Sequence, residues 1–279
     1  MSDQLLADFL TIGHACYDVA GEDYVLGGAV SFTSQVALKL GKSVAMLTSV
    51  EEDFQFKETF KDVQLENVVT NNNTIFENLY FEKKRVQYLH QKANDLKPND
   101  LPDSWKAIPL VLLCPIADEV SFDFLEMFPN SVIACSPQGW MRTWAADKKV
   151  KAKNINWDHL AKAEVIIMSE EDIEGYEYEI PRIAALVKVL IITSGEFGAK
   201  LFYENKEIDF PAYPTKAIDP TGAGDVFTVA FLLNYVKEKD VFNSVAYANV
   251  AASLSVEQIG TTGLPTDEEI QERLVMYNY

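Results

Sequence analysis

The sequence is poor in cysteine, histidine and positive charge, and it contains no long apolar run. Its three cysteines, Cys16, Cys114 and Cys135, form no close pair, which argues against a disulfide framework or a thiolate zinc site and sets the expectation of a reducing, cytoplasmic location. His14, His90 and His159 stand far apart without helical ligand spacing, so no histidine metal site is expected. Lys and Arg number 24 against 42 Asp and Glu, giving a net charge of −18. Such a surface repels phosphate backbones and anionic lipid, so neither a nucleic-acid nor a membrane partner is expected. The basic cluster Lys148, Lys149, Lys151 and Lys153 reads as a solvated loop between two elements. No cationic leader pattern precedes Gly13, and the longest apolar stretch, Ala107 to Ala117, is too short to cross a bilayer. Gly41-Lys42-Ser43 has Val36 where a phosphate-binding P-loop needs its first glycine, and it precedes a strand rather than a helix.

What is present is a globular composition, 48% hydrophobic and 24% charged over 279 residues. Short apolar runs recur at Asp8 to Ile12, Val44 to Thr48, Leu110 to Leu113, Val132 to Cys135, Val165 to Met168 and Val189 to Thr193. Between them lie stretches of helical period, Ser31 to Leu40, Ser121 to Phe128 and Ile180 to Lys188. Strands alternating with helices imply right-handed crossovers and a mostly parallel sheet covered on both faces, with ligands bound beyond the carboxyl ends of the strands. Thr74 to Phe81 and Arg85 to His90 read instead as a hairpin joined by Glu82-Lys83-Lys84, either a lid or an edge hairpin of the main sheet. Further strands at Ala199 to Tyr203 and Glu207 to Phe210 precede helices at Asp225 to Val236, Val241 to Val256 and Thr266 to Met276. No linker or repeat divides the chain, so residues 1–279 are expected to form one α/β domain.

The chemistry is expected at Asp219-Pro220-Thr221-Gly222-Ala223-Gly224-Asp225, just before an apolar helical run. Pro220 disfavours helix at Asp219, and the two glycines allow a tight turn that approaches a ligand closely. The free amides of Gly222, Ala223 and Gly224 would then form an anion hole at a helix N-terminus. Asp225, in the first turn, is expected to be ionised by the helix dipole and able to take a proton. An anion hole beside a carboxylate suits phosphoryl transfer to an alcohol. The plainer reading is a tight turn followed by an acidic first-turn residue.

This segment resembles the D-T-x-G-A-G-D signature of the ribokinase or PfkB family of carbohydrate kinases. The resemblance implies a three-layer α/β/α fold with a small β lid, formed here by about residues 14–30 and 74–91. It implies Asp225 as catalytic base, Gly222 to Gly224 as anion hole, ATP as donor, Mg²⁺, and a possible K⁺ site near Asp219, Thr221 and the carbonyls around Ile259 and Gly260. Gly13 with Asp18 resembles the segment that holds substrate hydroxyls, and Gly27-Gly28 the paired glycines under the sugar. Thr193, Gly195 and Gly198 match the T-x-G-x-x-G nucleotide segment, and Asn249 falls where the family borders adenine.

Departures accompany the resemblance. Phe32 replaces an Asn that many such kinases carry. Ser169-Glu170-Glu171-Asp172 replaces the N-x-x-E magnesium segment, leaving Asp172 as the metal-side acid and Ser169 beside ATP. Ser136 to Arg142 replaces D-x-N-x-x-x-R, leaving Gln138 and Arg142 as acceptor contacts, although an arginine there is as readily a surface residue. GGAVSF, DPTGAGD and SVEQIG together look like the inositol-kinase branch, so the expected acceptor is a sugar, polyol or cyclitol. The alternatives are a nucleoside kinase, with Phe32, Tyr17 or Trp140 stacking on a base, and a catalytically weak ligand sensor on a kinase fold. A homodimer through the lid is also expected.

Overall fold

The computed structural model describes residues 6–81 and 84–276. The chain runs through β1 (Phe9–Ile12), β2 (Cys16–Ala20), β3 (Asp23–Gly27), α1 (Ala29–Lys39), β4 (Val44–Thr48), β5 (Gln64–Asn67), β6 (Thr74–Phe81) and β7 (Lys84–Gln91). It continues through β8 (Leu110–Leu113), β9 (Val132–Cys135), β10 (Arg142–Trp144), β11 (Val150–Ala152), β12 (Val165–Ser169), the single turn α2 (Glu170–Ile173) and α3 (Ile180–Leu186). It ends with β13 (Val189–Thr193), β14 (Ala199–Tyr203), β15 (Lys206–Phe210), α4 (Ala223–Glu238), α5 (Val241–Ser255) and α6 (Asp267–Met276).

The main sheet has the order β15-β14-β13-β12-β9-β8-β1-β4-β5. Pairing is parallel from β13 to β5 and antiparallel at β14 and β15. Its central strands are apolar on both sides because both faces are covered. Leu112, Met46, Ile167 and Ile191 pack into one core with Val226, Phe231, Val245 and Ala248 of α4 and α5. Val111, Leu113, Leu47 and Ile166 point the other way, against Trp105, Phe124, Trp157 and Ile183. This is the three-layer α/β/α arrangement expected from the sequence, with the order of strands reversing between β1 and β8.

The segments that break the βα pattern form a second sheet, β3-β2-β6-β7. The hairpin β6-β7 therefore does not extend the main sheet, and its expected turn at Glu82-Lys83 lies outside the described residues. Cys16, Phe76 and Leu89 of this sheet pack on Ile116 and Ala117, which follow β8. His14 fastens the same region: its Nδ1 meets the Thr74 hydroxyl at 2.8 Å and its Nε2 the Asn94 carbonyl at 2.8 Å. Burial lowers the pKa of His14, and the ring is neutral and structural.

Two expectations are corrected. Ser121 to Phe128 forms only a 3₁₀ turn at Phe122–Glu126, where the Ser121 hydroxyl accepts from the Asp123 amide. The lysine cluster sits on and beside the hairpin β10-β11, not in a plain loop: Lys151 faces Thr143 across the pair, and Lys153 Nζ lies 2.6 Å from Asp118.

Backbone geometry explains the paired glycines. Gly28 has φ of +92°, and a Cβ there would lie 2.2 Å from the His14 carbonyl oxygen. Gly28→Ala should cost about 2–4 kcal/mol, combining a forbidden φ with overpacking against backbone. Urea unfolding of the variant checks this, and an unchanged midpoint would contradict it.

Candidate active site

The loop before α4 is shaped as its glycines require. Gly222 is left-handed at φ +79° and caps the helix, whose apolar residues from Val226 onward are buried. The Asp219 carboxylate accepts from the Thr221 amide at 3.0 Å and from the Gly260 amide at 2.9 Å, tying this loop to the one after α5. Those bonds hold the Asp219 carboxyl below its usual value despite burial. Of the three amides expected at the hole, Ala223 already donates to the Pro220 carbonyl at 3.2 Å. Gly222 and Gly224 have no hydrogen-bond acceptor among the described residues, so two amides, not three, are left for an anion.

Asp225 follows in the first turn of α4. Burial chiefly, with the Asp225 charge as a smaller cause, raises the pKa of Cys114, the residue after β8, so the carboxylate lies within electrostatic reach of the strand ends where the strand order reverses. Its titration differs from the expectation. Burial first, and the Asp172 charge second, push the Asp225 carboxyl up to about 7. Burial outweighs the helix dipole, whose effect is confined to tenths of a kcal/mol or little more.

Asp172 closes the turn after β12. It completes a capping box with Ser169, accepting from the Ser169 amide at 2.9 Å and hydroxyl at 2.8 Å. Its other oxygen accepts from Gln138 Nε2 at 2.8 Å, so Gln138 is joined to Asp172. Ser169 is accordingly an N-cap.

Arg142 is drawn inward and is not a surface residue. Its Nη1 donates to the Ile116 carbonyl at 2.9 Å, its guanidinium lies 5.6 Å from the centre of the Phe76 ring, and burial pushes its pKa down to about 10. No carboxylate lies within ion-pair distance of it among the described residues. Asp18, on β2, accepts from Asn78 at 3.3 Å, and burial lifts its carboxyl to about 6 against the opposing charges of Arg142 and Arg85. Gly27 is glycine because a Cβ there would lie 2.3 Å from that carboxylate. Asp18, Arg142, Gln138, Asp172 and Asp225 thus form one electrostatically connected group.

The expected nucleotide segment lies at the end of β13. Thr193 Oγ1 donates to the Met168 carbonyl at 3.4 Å, Gly195 and Gly198 take φ of +52° and +101°, and a Cβ at Gly198 would lie 2.0 Å from the Phe210 carbonyl. Asn249, buried on α5, reaches the Pro211 carbonyl at 3.5 Å. Thr221 is exposed beside the loop, and the Ile259 carbonyl accepts from the Thr262 hydroxyl at 2.6 Å. Among the described residues no three His, Cys, Asp or Glu side chains group closely enough to cage a metal.

Two base-stacking candidates are withdrawn. Trp140 is 1% exposed, donates to the Val120 carbonyl at 2.7 Å and stacks on Phe122. Tyr17 is buried against Tyr24, Phe54 and Phe56.

Sequence reasoning missed Glu119. Buried at 1% exposure, its carboxylate accepts from the amides of His14, Ile116 and Ala117 at 2.6–3.0 Å, pinning the loops after β1 and β8 together. An acid two residues after the apolar run Ala107 to Ala117 was the available signal. Arg85 on β7, 4.0 Å from Glu171 after β12, was also missed.

Comparison with known proteins follows from this geometry. Residues 145–268 match the description pfkB family carbohydrate kinase. This C-terminal part of the chain is thus similar to the pfkB family. An inositol 3-kinase of Arabidopsis thaliana is 26% identical over 270 residues, 90% of this chain and 74% of that protein. A pyrophosphate-dependent ribokinase-family kinase, solved with a pyrophosphate analog and myo-inositol, superposes with a TM-score of 0.79 at 19% identity, covering 95% of this chain and 99% of the other. An Arabidopsis thaliana ribokinase complexed with ribose and ATP gives 0.74 at 18% identity, covering 97% and 99%. These superpositions place the chain in the ribokinase fold. Among the described residues no helix is long and apolar enough to cross a membrane.

The raised pKa of Asp225 has a stability consequence. The folded protein binds the proton more tightly than the unfolded chain, whose carboxyl titrates near 3.8. Ionisation therefore destabilises the fold, and stability falls as pH rises from about 4 through about 7. Asp225→Asn should unfold later than the parent at pH 8, by about 1–3 kcal/mol, with a smaller gain at pH 5. Denaturant midpoints at the two pH values check this, and an equal gain at both would contradict it.

Proposed function

We propose that the chain is a phosphotransferase that moves the terminal phosphoryl group of ATP to a hydroxyl of a small sugar, polyol or cyclitol. The observation that carries the reading is a carboxylate titrating near 7, Asp225, in the same helical turn as the open amides of Gly222 and Gly224. A base poised near neutral pH takes the hydroxyl proton, while the two amides face the charge gathering on the phosphoryl oxygens. Asp18 accepts from acceptor hydroxyls, and Arg142, with one of its five N–H groups donated to Ile116, offers the others. Gln138 stands behind this group by holding Asp172.

The donor is assigned to the cleft edge formed by Ser169, Thr193, Gly195, Gly198 and Asn249. ATP is preferred because a ribokinase of this fold is solved with it, and pyrophosphate is the competing donor because another fold member depends on it. Mg²⁺ on the donor phosphates would neutralise their charge. Magnesium keeps most of its waters, so Asp172 would hold it through water, leaving Asp225 free as the base. Asp219 and Thr221, with the carbonyls near Ile259 and Gly260, are the place for a K⁺ ion. The small sheet acts as a lid over the acceptor. Its edge strand β3 exposes Tyr24 and Val25, which supports a homodimer formed through the lid. The acceptor is proposed to be inositol-like, in keeping with the named activity of the Arabidopsis relative.

The test is product release from ATP or pyrophosphate, with Mg²⁺ and with or without K⁺, across myo-inositol, sugars, polyols and nucleosides. Acceptor-dependent turnover should rise with pH and level off above about 7, as Asp225 ionises. Asp225→Asn should lower it by at least ~10²-fold. Turnover that does not depend on any acceptor hydroxyl, or an Asp225→Asn variant as fast as the parent, would sink the reading.

A further inference from the structure

If the chain is a kinase, its cleft must keep water from competing with the acceptor hydroxyl. The first turn of α1 is fixed at three points. The Ser31 hydroxyl donates to the Gly27 carbonyl at 2.8 Å, Gly27 lies against the Asp18 carboxylate, and the buried Thr33 hydroxyl meets Thr11 at 2.9 Å. Phe32 stands between Ser31 and Thr33 on this rigid turn, half-buried. Its ring lies on Gly222: a Cβ at that glycine would be 2.6 Å from Phe32 Cδ1 and 2.8 Å from Cε1. The start of α1 thus touches the acceptor-side carboxylate through Gly27 and the anion-binding loop through Phe32.

A phenyl ring has no conventional hydrogen-bond donor or acceptor, so Phe32 contributes little to reading acceptor polarity. It removes solvent from one side of Gly222, and a water-excluded site strengthens the pull of the open amides on developing negative charge. We infer that Phe32 is a positioning residue, a water-excluding wall on the Gly222 loop that commits the phosphoryl group to the acceptor. In the leak it prevents, a water oxygen bonds to the terminal phosphorus of a nucleoside triphosphate. The bond from that phosphorus to the bridging oxygen breaks, the nucleoside diphosphate leaves with the electron pair, and the water proton passes to Asp225.

The inference rests on the kinase reading, and its test separates the two. Acceptor-free diphosphate release and acceptor phosphorylation are measured for the parent, Phe32→Ala, Phe32→Leu and Phe32→Tyr. Phe32→Ala should raise the ratio of hydrolysis to transfer by about tenfold or more, Phe32→Leu by less, and Phe32→Tyr should keep the parental ratio. A merely structural role would lower both rates together, and an unchanged ratio in Phe32→Ala overturns the inference. Phe32→Leu serves if the alanine variant does not fold. Should the parent transfer phosphate to no acceptor, the kinase reading fails instead. Hydrogen exchange of the Gly222 to Asp225 amides in the ligand-free protein then decides: faster exchange in Phe32→Ala supports the wall, and equal exchange overturns it.

Discussion

The site depends on a carboxylate held where it resists ionisation. Asp225 begins a helix whose following residues are buried under the main sheet, with Asp172 as a second negative charge nearby. The helix dipole acts in favour of the anion, but loss of hydration and like-charge repulsion are larger and set the carboxyl near neutral pH. Nothing in the helix could move without dragging α4 out of the core it shares with α5 and the sheet. Proton affinity and stability are therefore coupled at one residue, and the fold carries an ionised Asp225 at a cost.

The rest of the site is arranged around that charge. Asp172 is spent on both sides, by the capping box with Ser169 and by Gln138, so its position is fixed as well as its sign. Arg142 has a neutral carbonyl and an aromatic face as partners rather than a carboxylate, which leaves most of its donors for a ligand. Glu119 does the opposite work. Its oxygens are consumed by backbone amides, and it holds together the loops that follow β1 and β8, the two strands between which the order of the sheet reverses.

Much of this was legible in the sequence, and the reasons differ from element to element. The buried strands at Val44–Thr48, Leu110–Leu113 and Val189–Thr193 are continuous apolar runs because both sheet faces are covered, and such runs stand out without any partner information. The Gly222 turn was legible because Pro220 and two glycines leave few backbone alternatives. The strands β2 and β3 were seen only as part of a lid segment, since both are short and β3 is largely exposed, without the alternating burial that marks a strand. Ser121 to Phe128 has helical period but tightens into a 3₁₀ turn. The pairing of Asp172 with Gln138, the inward turn of Arg142 and the ring of Phe32 on Gly222 arise from long-range approach, to which sequence spacing is blind. The same holds for Asp225, whose place in the motif was plain while its proton affinity depended on Asp172 from another strand end.

The most direct measurement is where the moving group sits. A crystal structure with a nucleoside diphosphate, magnesium and aluminium fluoride would mimic the phosphoryl group in flight. The account predicts fluorines of the aluminium fluoride within hydrogen-bond distance of the Gly222 and Gly224 amides, with the Asp225 carboxylate on the acceptor side. A fluoride group bound elsewhere, with those amides still facing solvent, would contradict it.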